Sequence, residues 1–215
     1  MPLVCPHCGA YALSNPDHRP DATRCAACET VTPANIPPLF VVTGASGSGK
    51  TTIIPALRPL LPDCIVFDKD LLWGRPESDQ FTNNWLRIAY SVAQGGRYSV
   101  LCGTTMPWDV DACEDRTLVG PVHYLNLHCN DMVREERLRA RPGWRGAGTD
   151  AFVDEHITFA HWLVDNAATA YTPPIVTVDT SDRPVADAAA EVAAWVQRIL
   201  AEQVAPAPSG SAVGA

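Results

Sequence analysis

From Leu39 to about Val204, short apolar runs alternate with amphipathic stretches. The runs at 39–43, 64–67, 98–102, 122–127 and 175–178 are apolar almost throughout, as strands buried on both faces are. The stretches between them read as helices. One begins near Gly49; one spans about 79–94 and stops at Gly95-Gly96; a short one lies within 109–119. Another, capped by Asn130 or Asp131, runs to about Ala140, and two more cover about 150–170 and 185–204. Such alternation predicts an α/β fold, a parallel sheet covered by helices on both faces. Pro55 and Pro59 remove hydrogen bonds from the first helix, which is therefore expected to be short or kinked.

The first 38 residues differ. They hold seven of the nineteen prolines and four cysteines, with little apolar period. Residues 1–32 read as a loop-rich module, 33–38 as a stiff proline linker, 39–204 as the main domain and 205–215 as an uncharged, disordered tail. A length of 215 residues suits one α/β domain with a small appendage, and 47% apolar residues suffice for its core. The net charge of −8 argues against a general binder of nucleic acid or acidic membranes, which needs a basic face. No run approaches the ~18 apolar residues of a spanning helix, and no basic-then-apolar leader is visible at Met1, so the chain is read as soluble and cytoplasmic.

The most specific motif is Gly44-Ala45-Ser46-Gly47-Ser48-Gly49-Lys50-Thr51, which fits G-x-x-x-x-G-K-[ST] at every fixed position. A strand feeds it and a helix leaves it. Its glycines let successive N–H groups turn toward an anion, and the helix start adds partial positive charge. Lys50 is expected against the β- and γ-phosphates, and the Thr51 hydroxyl on Mg²⁺, with Thr52 completing the cradle. Fourteen of the sixteen basic residues are arginine; an ammonium is kept only at Lys50 and Lys69.

The second strand ends in Phe67-Asp68-Lys69-Asp70. Neighbouring parallel strands share one crevice at their carboxyl ends, so both carboxylates are expected to face the phosphate loop. Asp68 is assigned to Mg²⁺ and Asp70 to the proton of an attacking hydroxyl. The competing reading is an acidic helix cap, weighing mostly against Asp70. Arg134, Arg137, Arg139, Arg141 and Arg145 cluster before the glycine-rich stretch 146–148. Arg137 and Arg141 are read as lid groups that stabilise charge developing in phosphoryl transfer, and Arg139 as a solvated residue.

These three motifs together resemble the small P-loop kinases, a group that includes gluconate kinases, shikimate kinases, chloramphenicol phosphotransferase-like enzymes and nucleoside monophosphate kinases. The gluconate and shikimate branch pairs a D-x-D after its second strand with an R-L-x-x-R before its lid, matched here by Asp68-Lys69-Asp70 and Arg137-Leu138-Arg139-Ala140-Arg141. The resemblance covers roughly residues 39–204. It implies a P-loop NTPase fold with five parallel strands in the order 2-3-1-4-5, and ATP as phosphoryl donor. It also implies adenine packing near Arg137 and the turn Asp179-Thr180-Ser181, with acceptor groups drawn from Trp73, Arg75, Trp85, Arg87, Arg97 and the segment Cys102–Trp108. The sequence departs from the branch at Trp144-Arg145-Gly146 and Gly103-Thr104-Thr105, which leaves the acceptor open; core packing competes for Trp85.

Cys5-Pro6-His7-Cys8 and Cys25-Ala26-Ala27-Cys28 give two C-x₂-C knuckles sixteen residues apart. That spacing suits a structural zinc site, and the segment resembles a zinc ribbon. A redox dithiol pair is the alternative. With two arginines against Asp17, Asp21 and Glu29, the module lacks a nucleic-acid footprint. Protein contact, homodimerisation or covering the main domain are its expected roles.

The leading reading is transfer of the ATP γ-phosphoryl group to a small-molecule hydroxyl. A nucleotide or polynucleotide 5′-end kinase, and a nucleotide-binding regulatory adaptor, stand beside it.

Overall fold

The computed structural model describes residues 4–11, 13–74, 80–142 and 148–204. Arg75, the stretch 143–147 with Arg145, read as part of a lid, and the residues 205–215, read as a tail, lie outside the described residues.

Three short antiparallel strands come first: β1 (Leu13–Ser14), β2 (Ala22–Cys25) and β3 (Val31–Pro33), in the order β1-β2-β3. The apolar pattern does not announce them, because turns organise this segment. Gly9 N donates to Cys5 O at 2.9 Å and Glu29 N to Cys25 O at 2.8 Å, closing the two cysteine knuckles. Gly9 and Glu29 both stand at positive φ, 74° and 58°.

The main sheet is parallel, with β4 (Leu39–Thr43), β5 (Cys64–Asp68), β6 (Tyr98–Cys102), β7 (Val122–His128) and β8 (Val176–Asp179) in the order β5-β6-β4-β7-β8. Numbered within the sheet, this is the 2-3-1-4-5 order implied by the kinase resemblance. Alternation along β4 divides the core. Leu39 and Val41 pack with Trp85 and Leu86 of α2 (Phe81–Gln94). Phe40 and Val42 pack with Ile53, Ile54 and Leu57 of α1 (Lys50–Leu57) and with Val192 and Val196 of α6 (Val185–Val204). Both layers are buried and apolar, so the strands read as continuous apolar runs rather than alternating ones.

Two elements differ from the sequence expectation, the helix within 109–119 and the helix expected to reach 170, while the first helix, short as expected, and the helix capped at Asn130 follow theirs. The short helix within 109–119 is two pieces, α3 (Pro107–Asp111) and a 3₁₀ turn (Glu114–Leu118). α1 contains Pro55 and gives way to a 3₁₀ turn (Arg58–Leu60) carrying Pro59. α4 (Asp131–Arg139) is capped by Asn130, whose Oδ1 accepts from Val133 N at 2.9 Å. α5 (Asp150–Asp165) ends before the expected 170: the Asn166 side chain donates to Trp162 O at 2.9 Å, and the chain returns through Ile175 N to Ala167 O at 3.0 Å, burying Tyr171.

Candidate active site

The carboxyl end of β4 runs directly into the glycine-rich loop. Gly44, Gly47 and Gly49 have φ of 144°, 84° and 94°. A Cβ on Gly44 would stand 2.4 Å from Leu127 O, so the first glycine is required by the close passage of β7 as well as by its backbone angle. Gly49 caps α1 in the left-handed conformation and no side chain caps that helix, so its first-turn N–H groups are left to another partner. Ala45 and Ser48 are buried in the loop's base.

Beside this helix start lies a cavity of about 1070 Å³. Ser46, Gly47, Gly49, Lys50, Thr51 and Thr52 form its floor. Arg137, Ala140 and Arg141 form one wall, with Thr180, Arg183 and Val185 beyond them, and Asp70, Trp73, Phe81 and Thr104 form the opposite side. Lys50 Nζ donates to Gly44 O at 2.7 Å and Ala45 O at 2.9 Å. Burial lowers its pKa to about 8; Asp70 opposes the shift, and Arg141 and Arg134 add to it.

Asp68 and Asp70 part company. β5 ends at Asp68 and a 3₁₀ turn (Lys69–Leu72) follows, so the two carboxylates do not share a strand face. Asp68 Oδ1 accepts from Asp70 N at 3.0 Å, so the capping role falls to Asp68. Asp70 lines the cavity. Lys69 is buried behind Phe81 and Thr104: its Nζ donates to Thr105 Oγ1 at 2.9 Å and stands 5.0 Å from the Phe81 ring centroid.

The arginines divide similarly. Arg137 donates to Gly47 O at 3.1 Å and Thr180 O at 2.7 Å, bridging the phosphate loop to the turn after β8. Arg134 is fully buried under the loop, donating to Ser46 O at 2.6 Å and Cys129 O at 3.0 Å. Arg139 lies on the surface, paired with Glu135 and Asp150. Arg141 lines the cavity.

Of the described acceptor candidates, Trp73 and Thr104 reach the cavity wall. Trp85 is core and donates its Nε1 to Lys69 O at 3.1 Å. Arg87 pairs with Asp115, and Arg97 donates to Pro62 O. Phe81, Phe152 and His156 line the cavity without having been singled out by the sequence, since each sits in an amphipathic helix with no motif around it.

Far from this cavity in sequence, the sulfurs of Cys5, Cys8, Cys25 and Cys28 lie within 4.8 Å of one another. Cys5–Cys28 and Cys8–Cys25 are each 3.7 Å apart. Four thiolates at the ~2.3 Å zinc–sulfur bond length stand about 3.8 Å apart along a tetrahedral edge, so the cluster fits a zinc ribbon. No described helix is long and apolar enough to cross a membrane.

The chain is similar in structure to a sugar kinase from Janibacter sp., at 19% identity and a TM-score of 0.51, over 80% of this chain and 99% of that one. It is also similar to a gluconokinase from Sinorhizobium meliloti, at 19% identity and a TM-score of 0.50, over 79% of this chain and 99% of that one. At these identities the likeness is one of fold. No family model and no curated protein matches the sequence.

Proposed function

We propose that the protein is an ATP-dependent phosphotransferase that moves the γ-phosphoryl group to a hydroxyl of a small molecule. One observation carries this reading: a single cavity joins the phosphate loop and Lys50 to a carboxylate, Asp70, and to an aromatic wall of Trp73 and Phe81. A passive nucleotide switch has no use for that acceptor-side arrangement. The loop N–H groups, Lys50, Arg137 and Arg141 would hold the polyphosphate, with the base near Arg137 and the Asp179–Ser181 turn. Thr51 and Asp68 would hold Mg²⁺, which supplies charge neutralisation between phosphates. Asp70 would orient the acceptor hydroxyl and take its proton. Trp73 and Phe81, 5.8 Å apart and edge to face, would stack on the acceptor. The four cysteines would hold one zinc ion.

The test is ADP release from magnesium ATP across sugars, sugar acids, nucleosides, nucleotides and phenol- or aminoglycoside-type alcohols. Activity with one class, abolished in Lys50→Met, is the expected result. Equal turnover by that variant would remove the loop from the mechanism, and ADP formed only with RNA or DNA ends would replace the acceptor class. In Asp70→Asn, kcat should fall about 10²-fold or more while nucleotide affinity stays within a few fold; an unchanged kcat would return Asp70 to a structural role.

A further inference from the structure

The cavity has a third side that no motif marks. His156 lies in α5 and lines the cavity together with Phe152, one turn before it. The two rings meet edge to face with centroids 4.3 Å apart. His156 Nδ1 is buried and finds no hydrogen-bond partner among the described residues, an arrangement that costs stability unless something else completes it.

The charges acting on the ring are unbalanced. Lys50 comes from the start of α1, Arg134 from α4 and Arg141 from just beyond it, while Glu155 on its own helix opposes them, and Asp70 lines the same cavity. Burial first, and then these three cations, hold the imidazole below its usual pKa. A polyphosphate seated against Lys50 and Arg141 reverses that field at the ring.

Resting on the nucleotide reading above, we propose that His156 is a phosphate-contacting residue that takes up a proton as the polyphosphate binds and donates a hydrogen bond to it. The step balances simply: one proton moves from solvent to the imidazole, and no covalent bond changes in the nucleotide. Linkage fixes the sign. The bound-state pKa lies above the free-state one, so between them binding consumes a proton and affinity falls as pH rises.

The experiment is calorimetric titration of the full-length protein with the magnesium complex of the imido analogue of ATP at pH 6.5, in buffers of differing ionisation enthalpy. At this pH Lys50, with a pKa of about 8, is already charged and contributes little. The wild type should take up about half a proton or more beyond His156→Gln, which keeps a hydrogen-bonding group but cannot titrate. Equal uptake by the two proteins overturns the proposal. His156→Asn repeats the comparison if the glutamine variant does not fold. Absence of binding by the wild type would defeat the nucleotide reading itself, whereas binding with equal proton uptake would defeat only the role of His156.

Discussion

Lys50 carries the most chemistry of any single residue here, and its present partners are carbonyls rather than phosphates. It holds Gly44 O and Ala45 O at 2.7 and 2.9 Å while burial keeps its pKa near 8. Polyphosphate favours the ammonium, so the bound-state pKa must exceed the free one. As pH rises above about 8, the free protein loses its proton before the complex does. Nucleotide affinity should therefore fall through this range, by up to tenfold for each unit separating the two pKa values. The dissociation constant of magnesium ADP measured from pH 7 to 9.5 checks this, and a flat profile would contradict it. Folding responds with the opposite sign. The unfolded lysine, at its ordinary value of 10.5, binds more protons than the folded one above pH 8, so this group makes the free protein more stable as pH climbs.

Among the elements, the phosphate loop and α4 act as one unit. Arg134 is the link, its guanidinium fully buried and bonded to Ser46 O and Cys129 O. Gly47 completes the fit, since a Cβ there would stand 3.2 Å from Arg134 Cγ. Arg134→Ala leaves the Ser46 and Cys129 carbonyls without this donor and should cost roughly 3 kcal/mol, along with weaker nucleotide binding. Arg134→Met keeps the volume and should cost less; chemical denaturation of the two variants separates packing from hydrogen bonding, and unchanged midpoints would refute the link. The loop itself was legible in the sequence because fixed spacing encodes it, and the main strands because burial on both faces makes them apolar throughout. The role of Arg134 was not legible: spacing placed it on one helix face with Arg137, but whether a guanidinium meets solvent, ligand or a carbonyl depends on what the fold lays over that face. Asp68 and Asp70 illustrate the same gap, because the strand ends at Asp68, two residues short of Asp70, and alternation does not carry across the turn. His156 and Phe152 were invisible for a simpler reason: α5 is long and mixed, and only the tertiary position of its first turns makes them cavity residues.

At the scale of the whole molecule, the cysteine module and the proline linker lie against α2 and the Glu114–Leu118 turn of the main domain. Asn15 N donates to Thr117 Oγ1 at 3.3 Å, Asn35 exchanges hydrogen bonds with Gln94, and Ile36 packs with Tyr90 and Leu118. Tyr11 lies 5.9 Å from the Arg87 guanidinium, which is itself bound to Asp115. All of these contacts fall on α2 or the Glu114–Leu118 turn, and α2 begins with Phe81 in the cavity wall. Among the described residues, the module's own core cluster is Cys5 and Cys25 with Ala10 and Cys28 around them, so metal coordination is expected to supply its folding energy. Zinc should therefore stabilise two things at once, the ribbon and the outer face of α2. Purified protein is expected to contain about one zinc per chain. Cys25→Ser should lose the metal and melt at a lower temperature, yet still bind magnesium ADP, because α1 and α6 pack on the other face of the sheet. A metal-free wild type, or a Cys25→Ser variant melting with the wild type, would contradict the zinc assignment. Loss of nucleotide binding along with the metal would instead show that the two faces of the sheet are coupled more tightly than their separate cores suggest.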